Sequence, residues 1–230
     1  MDLSLPRGLL RLVACLAVLL APAPASAHAP DAPPSSPPSQ AVRLGPDLTF
    51  TFDGGADGLI EAGAWLPAPS VDGGPAPLIV ISHGNGGAFR GHADTARALA
   101  DAGFVVAALT HPGDNYRDMS RSTQLTDRAP QLSRLIDHMT GAAFAQTSPI
   151  AVDPSRIGAF GFSAGGFTVI TAVGGVSDLT AIRRHCAAHT DDFACRLLQL
   201  QPVDPETWRP GARDVRIKAA VIAAPALGYA

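Results

Sequence analysis

Residues 157–166 read Ile-Gly-Ala-Phe-Gly-Phe-Ser-Ala-Gly-Gly, an apolar run ending in Gly161-Phe162-Ser163-Ala164-Gly165. A serine with glycine two residues to either side, between a strand and a helix, is the pattern of a nucleophile elbow. The chain turns there too tightly for side chains at its flanks, which lifts the Ser163 hydroxyl clear of the backbone. The N-terminus of the following helix favours negative charge developing beside it. A second pattern, Ser82-His83-Gly84-Asn85-Gly86-Gly87, directly follows the apolar run 78–81. Acyl transfer by a serine needs a nucleophile, a base, a group that orients the base, and donors for an oxyanion. Ser163 is the expected nucleophile. The backbone N–H of Ala164 is one expected oxyanion donor and that of Asn85 the other, with Gly86 next in line, because glycines let the backbone approach a substrate closely.

Alternating strands and helices must hold these groups. Residues 48–52 alternate like an edge strand, and 60–66 form a second strand bounded by Gly58 and Pro67. The runs 78–81 and 104–109 read as strands buried on both faces. Residues 92–102 carry Ala96, Leu99 and Ala100 on one helical face and stop at Gly103. Residues 128–140 place Leu132, Leu135, Ile136 and Met139 at helical intervals. Residues 156–160 lead into the elbow and 167–173 continue the helix behind it. Residues 177–208 form a polar, partly helical insertion, and 217–223 a further apolar strand. This order predicts an α/β fold, a mainly parallel sheet flanked by helices, with ligands bound outside the carboxyl ends of the strands. Residues 83–90, 111–115 and Ser163 all follow strand ends and are expected to meet on one edge of the sheet. His111-Pro112-Gly113-Asp114 reads as a rigid loop lining the site, not as triad members. Arg117, Arg121 and Arg128 read as solvated loop charges.

Three stretches, 77–87, 104–114 and 153–166, carry the blocks S-H-G-x-G-G, G-F-V-V-A-x-x-x-H-P-G-D and D-P-x-R-I-G-x-x-G-x-S-x-G-G. They resemble the bacterial dienelactone-hydrolase-like group related to platelet-activating-factor acetylhydrolases, over most of residues 41–230. The resemblance implies an α/β-hydrolase fold, a Ser-Asp-His triad acting on carboxylic esters without a cofactor or metal, and oxyanion donors at Asn85 and Ala164. True dienelactone hydrolases use a cysteine where this elbow has Ser163, so general ester or lipid-ester hydrolysis is implied rather than lactone opening. In that group the acid follows the strand after 217–223, and the histidine follows the last strand. Here Asp178, Asp191, Asp192, Asp204, Glu206 and Asp214, and also His185 and His189, all precede residue 217. The chain therefore reads as a hydrolase domain truncated at its C-terminus and lacking the last two strands, with acid and histidine expected beyond Ala230. By itself it is expected to hydrolyse p-nitrophenyl butyrate poorly or not at all.

At 230 residues, 47% apolar, 16% charged and with a formal charge of −3, the composition suits one globular domain and gives no sign of a nucleic-acid partner. Arg7 and Arg11, the apolar run 12–20 and Ala25-Ser26-Ala27 make 1–27 an expected signal peptide. Export to the periplasm or beyond follows, with no stable membrane anchor once it is cleaved. Residues 28–40 are a Pro/Ala/Ser-rich linker, and 41–230 the hydrolase domain. Cys186 and Cys195 then remain as a pair expected to form a disulfide contributing about 2–3 kcal/mol. A metal site of His185, Cys186, His189 and Cys195 is the rival, although the spacing matches no strong zinc signature. The expected function is a serine hydrolase acting on a small-molecule or lipid ester. An amide or peptide hydrolase of the same fold, or an inactive hydrolase-fold binding protein, are the alternatives.

Overall fold

Six strands, β1 (Leu48–Asp53), β2 (Leu59–Trp65), β3 (Ala76–Ser82), β4 (Val105–Leu109), β5 (Val152–Phe162) and β6 (Ile217–Ala223), form one sheet in the order β1-β2-β4-β3-β5-β6. The computed structural model describes residues 43–70, 73–209 and 211–229. The expected signal segment 1–27 and linker 28–40 lie outside the described residues. β1 pairs antiparallel with β2, and β2 with β4, while β3, β4, β5 and β6 run parallel. All five residues of β4 are buried, as its unbroken apolar run requires of a strand covered on both faces.

Alternation along β3 divides the core. Leu78 and Val80 face α2 (Arg128–Thr140), α3 (Ala142–Thr147) and α4 (Ala164–Ala172), through Leu132, Ile136, Phe144 and Val169. Ile79 and Ile81 face the opposite side, where α1 (Ala93–Asp101) presents Ala96 and Ala100 beside Trp65 and Val106. The small residues of α1 let its backbone lie close to the sheet. Past α4 come α5 (Leu179–Ala188) and α6 (Phe193–Leu200), joined by a Cys186–Cys195 disulfide. They pack over Leu125, Phe167, Val203 and Trp208. Among the described residues no helix is long and apolar enough to cross a membrane.

The expected strands and the helices at 92–102 and 128–140 are present. Two starts differ. β5 begins at Val152, earlier than 156, and α4 begins at Ala164, earlier than 167. Gly165 and Gly166 are poor helix formers, but there the helix is held by packing. A Cβ on Gly165 would overlap the Ser82 carbonyl. The chain is thus an α/β-hydrolase fold: a mostly parallel sheet with flanking helices and a G-x-S-x-G elbow between β5 and α4. Successive connections leave β3 toward β4 on one side and return to β5 on the other. The crevice at the carboxyl ends of β3 and β5 is therefore the topological switch point, where such sheets place ligands.

Candidate active site

Ser163 sits on that crevice with φ 55° and ψ −117°, in a region that L-residues rarely occupy. Such a conformation costs about 1–3 kcal/mol and persists only when the surroundings enforce it. They do so here. The Ser163 N–H donates to the Ala223 carbonyl (3.0 Å), and the Ser163 carbonyl accepts from the N–H groups of Phe167 (3.1 Å) and Ala226 (2.9 Å). The end of β6 therefore clasps the elbow. A Cβ on Gly161 would run into the Gly165 carbonyl and one on Gly165 into the Ser82 carbonyl of β3, so both positions require glycine by contact.

The loop after β3 reaches the same point. A Cβ on Gly84 would lie 3.5 Å from that of Ser163. Asn85, Ser163 and Ala164 line one cavity of about 50 Å³, with Leu125, Phe193, Leu198 and Leu227 among its walls. Among the described residues the N–H groups of Asn85 and Ala164 donate to nothing. Gly86, next in line after Asn85, is taken: its N–H donates to Asp114 Oδ1 at 2.8 Å.

Beneath that loop lies a buried polar network that sequence reasoning missed. Asp114 Oδ1 also accepts from Asn85 Nδ2 (2.9 Å), and Arg128 Nη1 donates to Asp114 Oδ2 at 2.9 Å. Arg128 is 2% exposed, which corrects its reading as a solvated charge. Arg121 and Arg117 stay half exposed, paired with Asp57 and Glu61. Burial brings Arg128 down to about 10 against the pull of Asp114. Burial likewise pushes the Asp114 carboxyl up, opposed by Arg128, the Gly86 N–H and Asn85. A second Arg128 nitrogen donates to the His83 carbonyl. A signal was present in the sequence. An arginine opening a helix sits against the positive end of the dipole and needs a local anion.

Two histidines extend the network. His83 Nδ1–H donates to the Gly84 carbonyl (2.6 Å), and its Nε2 accepts the His111 N–H (3.1 Å). His111 Nδ1–H donates to Gln131 Oε1 (2.7 Å), and its Nε2 accepts from Ser82 Oγ (2.9 Å). Each ring is thus satisfied as the neutral Nδ1–H form. Burial, then the nearby Arg128, lowers His83 to about 3 and holds His111 well below the ordinary histidine value. The unfolded chain takes up protons below the ordinary histidine value of about 6.5, while the folded chain does not. Stability therefore falls on acidification from that point down towards the folded value. The limiting slope is about 1.4 kcal/mol per pH unit for each histidine. His92 and His138, also lowered by burial, act with the same sign. Denaturant titrations between about pH 7 and pH 4.5, above the range of the lowered carboxylates, are expected to show this slope, reduced in His111→Gln. The raised Asp114 and Asp127 act with the opposite sign, so the difference between the two proteins is what decides: an equal slope in wild type and His111→Gln would contradict a neutral buried His111.

The acids and histidines downstream of Ser163 do not converge on it. Asp178 caps α5 by accepting the Thr180 N–H, and Asp214 binds Arg216. His185 Nε2 lies 2.8 Å from Asp192, and its ring stacks on Tyr229. Neither His185 nor His189 lines the Ser163 cavity. His185, Asp192 and Cys195 cluster within ligand distance of one another, but the Cys195 sulfur is bonded to Cys186 and is not a thiolate ligand. The insertion contributes something else. Phe193, Ala194, Leu197 and Leu198 make an apolar stripe at helical spacing along α6, and that stripe walls the cavity.

A model of the prolyl oligopeptidase family matches residues 89–181, from the loop after β3 through the elbow into α5. No curated protein matches. Among solved structures the chain is similar to an acylaminoacyl peptidase of Pyrococcus horikoshii, with 22% identity and a TM-score of 0.44 over 55% of this chain and 20% of that one. It is also similar to an esterase from the Planctomycetes species Thermogutta terrifontis, at 20% identity and 0.45, over 80% of this chain and 54% of that one. A third similar structure is a puromycin-hydrolysing peptidase of Mycobacterium tuberculosis, at 20% identity and 0.49, over 66% and 25%. The chain spans about half the length of that esterase and a quarter or less of the two peptidases.

Proposed function

We propose that this protein is an exported serine hydrolase that cleaves carboxylic esters through an acyl-enzyme on Ser163. One observation carries the reading: a serine held at positive φ shares a cavity with the backbone N–H groups of Asn85 and Ala164, which have no acceptor among the described residues. In the reaction Ser163 Oγ attacks the ester carbonyl and loses its proton to a base. The carbonyl oxygen becomes an oxyanion between the two N–H groups, the alcohol leaves, and water then releases the acid. Among the described residues no histidine and no acid lines the Ser163 cavity, so the base and its orienting acid are not assigned to particular residues. The edge strand β6 exposes Val221 and Ile222.

Esters are preferred to amides on the cavity's chemistry. Its walls are largely apolar, and its two other hydroxyls are engaged, Ser122 with the Gln201 side chain and Thr123 with the Gln201 carbonyl. Little remains there to recognise a peptide backbone. The match to the prolyl oligopeptidase model favours the second reading, amide or peptide cleavage. The disulfide supports export, since such bonds persist in oxidising compartments. Protein expressed from its complete gene is expected to label with an alkyl fluorophosphonate and to turn over p-nitrophenyl butyrate faster than the matched butyryl anilide. Faster anilide cleavage would assign a peptidase, and absence of both label and turnover would leave a binding protein.

A further inference from the structure

A second cavity shares one wall residue, Leu198, with the cavity at Ser163. The Ser163 cavity, about 50 Å³, is walled by Leu125, Ala194, Leu197, Leu198, Ala226 and Leu227. On the far side of α6 a cavity of about 250 Å³ is lined by Leu179, Ile182, Val203 and the Cys186–Cys195 disulfide. Leu198 lines both. At about 10–15 Å³ for each water-sized group, the inner cavity of about 50 Å³ holds an acyl chain of about three to five heavy atoms. The outer one is several times larger and is apolar over much of its lining.

On the reading that Ser163 is the nucleophile, we propose that Leu198 sets acyl-chain length by closing the Ser163 cavity off from the larger one behind α6. The native site then takes esters of short, unbranched aliphatic acids. Shortening Leu198 joins the two cavities and admits longer chains along Ile182 and Val203. The disulfide ties α6 to α5 and keeps the wall from yielding to a longer substrate.

The test uses protein expressed from its complete gene and p-nitrophenyl acetate, butyrate and octanoate as substrates. Wild type is expected to favour acetate and butyrate. Leu198→Ala is expected to raise the octanoate-to-butyrate ratio of kcat/KM by about tenfold or more, and Leu198→Phe to shift preference toward acetate. Leu198→Val, which removes less, serves if the alanine variant does not fold. Leu200→Ala, on the same helix but 80% exposed and lining neither cavity, leaves the profile unchanged. Ser163-dependent turnover with the same chain-length profile in wild type and the Leu198 variants would overturn the role of Leu198 alone. Absence of Ser163-dependent turnover of any ester in wild type would instead overturn the hydrolase reading, and this proposal with it.

Discussion

Ser163→Ala is expected to lower ester kcat by about five to six orders of magnitude and to abolish fluorophosphonate labelling, with melting behaviour little changed. The size follows from removing the group that forms the covalent bond, which no binding interaction replaces. What remains is catalysis by the two N–H donors, a small residue over water. The cavity offers two other hydroxyls as substitutes, and both are compromised. Ser122 Oγ donates to Gln201 Oε1 at 2.9 Å, and Thr123 Oγ1 to the Gln201 carbonyl at 3.0 Å. Neither sits at a helix N-terminus facing unpartnered N–H groups. The elbow angles are imposed by Ala223, Phe167 and Ala226 through backbone bonds that alanine keeps, so the variant should fold. Intact mass after labelling, with peptide mapping, checks both halves. Label persisting on Ser122 or elsewhere in the variant would move the nucleophile.

Much of this frame was legible in advance because its signals are local. An apolar run covered on both faces, a glycine stop at Gly103 and helical spacing in residues 128–140 each follow from a few neighbouring side chains. The elbow was legible for the same reason, since a tight turn writes its steric demands into Gly161 and Gly165. Pairings distant in sequence were not legible. Asp114 and Arg128 stand on different elements, and their union is decided by the sheet order that brings the loop after β4 beneath the loop after β3. The α6 wall failed differently. Phe193, Ala194, Leu197 and Leu198 recur at helical spacing, but they are only partly covered, and periodicity does not say that such a face walls the cavity at Ser163.

Arg128→Met should cost about 3–5 kcal/mol of stability, since it leaves the Asp114 carboxylate buried without its cation. A stability loss alone would not separate a structural from a positioning role, so the double variant Asp114→Leu/Arg128→Met decides. Replacing both members removes the unpaired buried charge, so part of the lost stability should return, short of what the Gly86 N–H, the Asn85 amide and the His83 carbonyl lose with their partners. Activity should not. Asp114 Oδ1 is the acceptor that fixes the Gly86 N–H and the Asn85 side chain, and leucine offers neither bond. On the proposed mechanism the Asn85 N–H then loses the support that aims it into the Ser163 cavity. Loss of such a donor costs about 10²–10³ in kcat with little change in KM, because the oxyanion exists only in the transition state. Denaturant unfolding and steady-state kinetics on the same preparations provide the comparison. A double variant that regains both stability and kcat would reduce Asp114 and Arg128 to a packing pair.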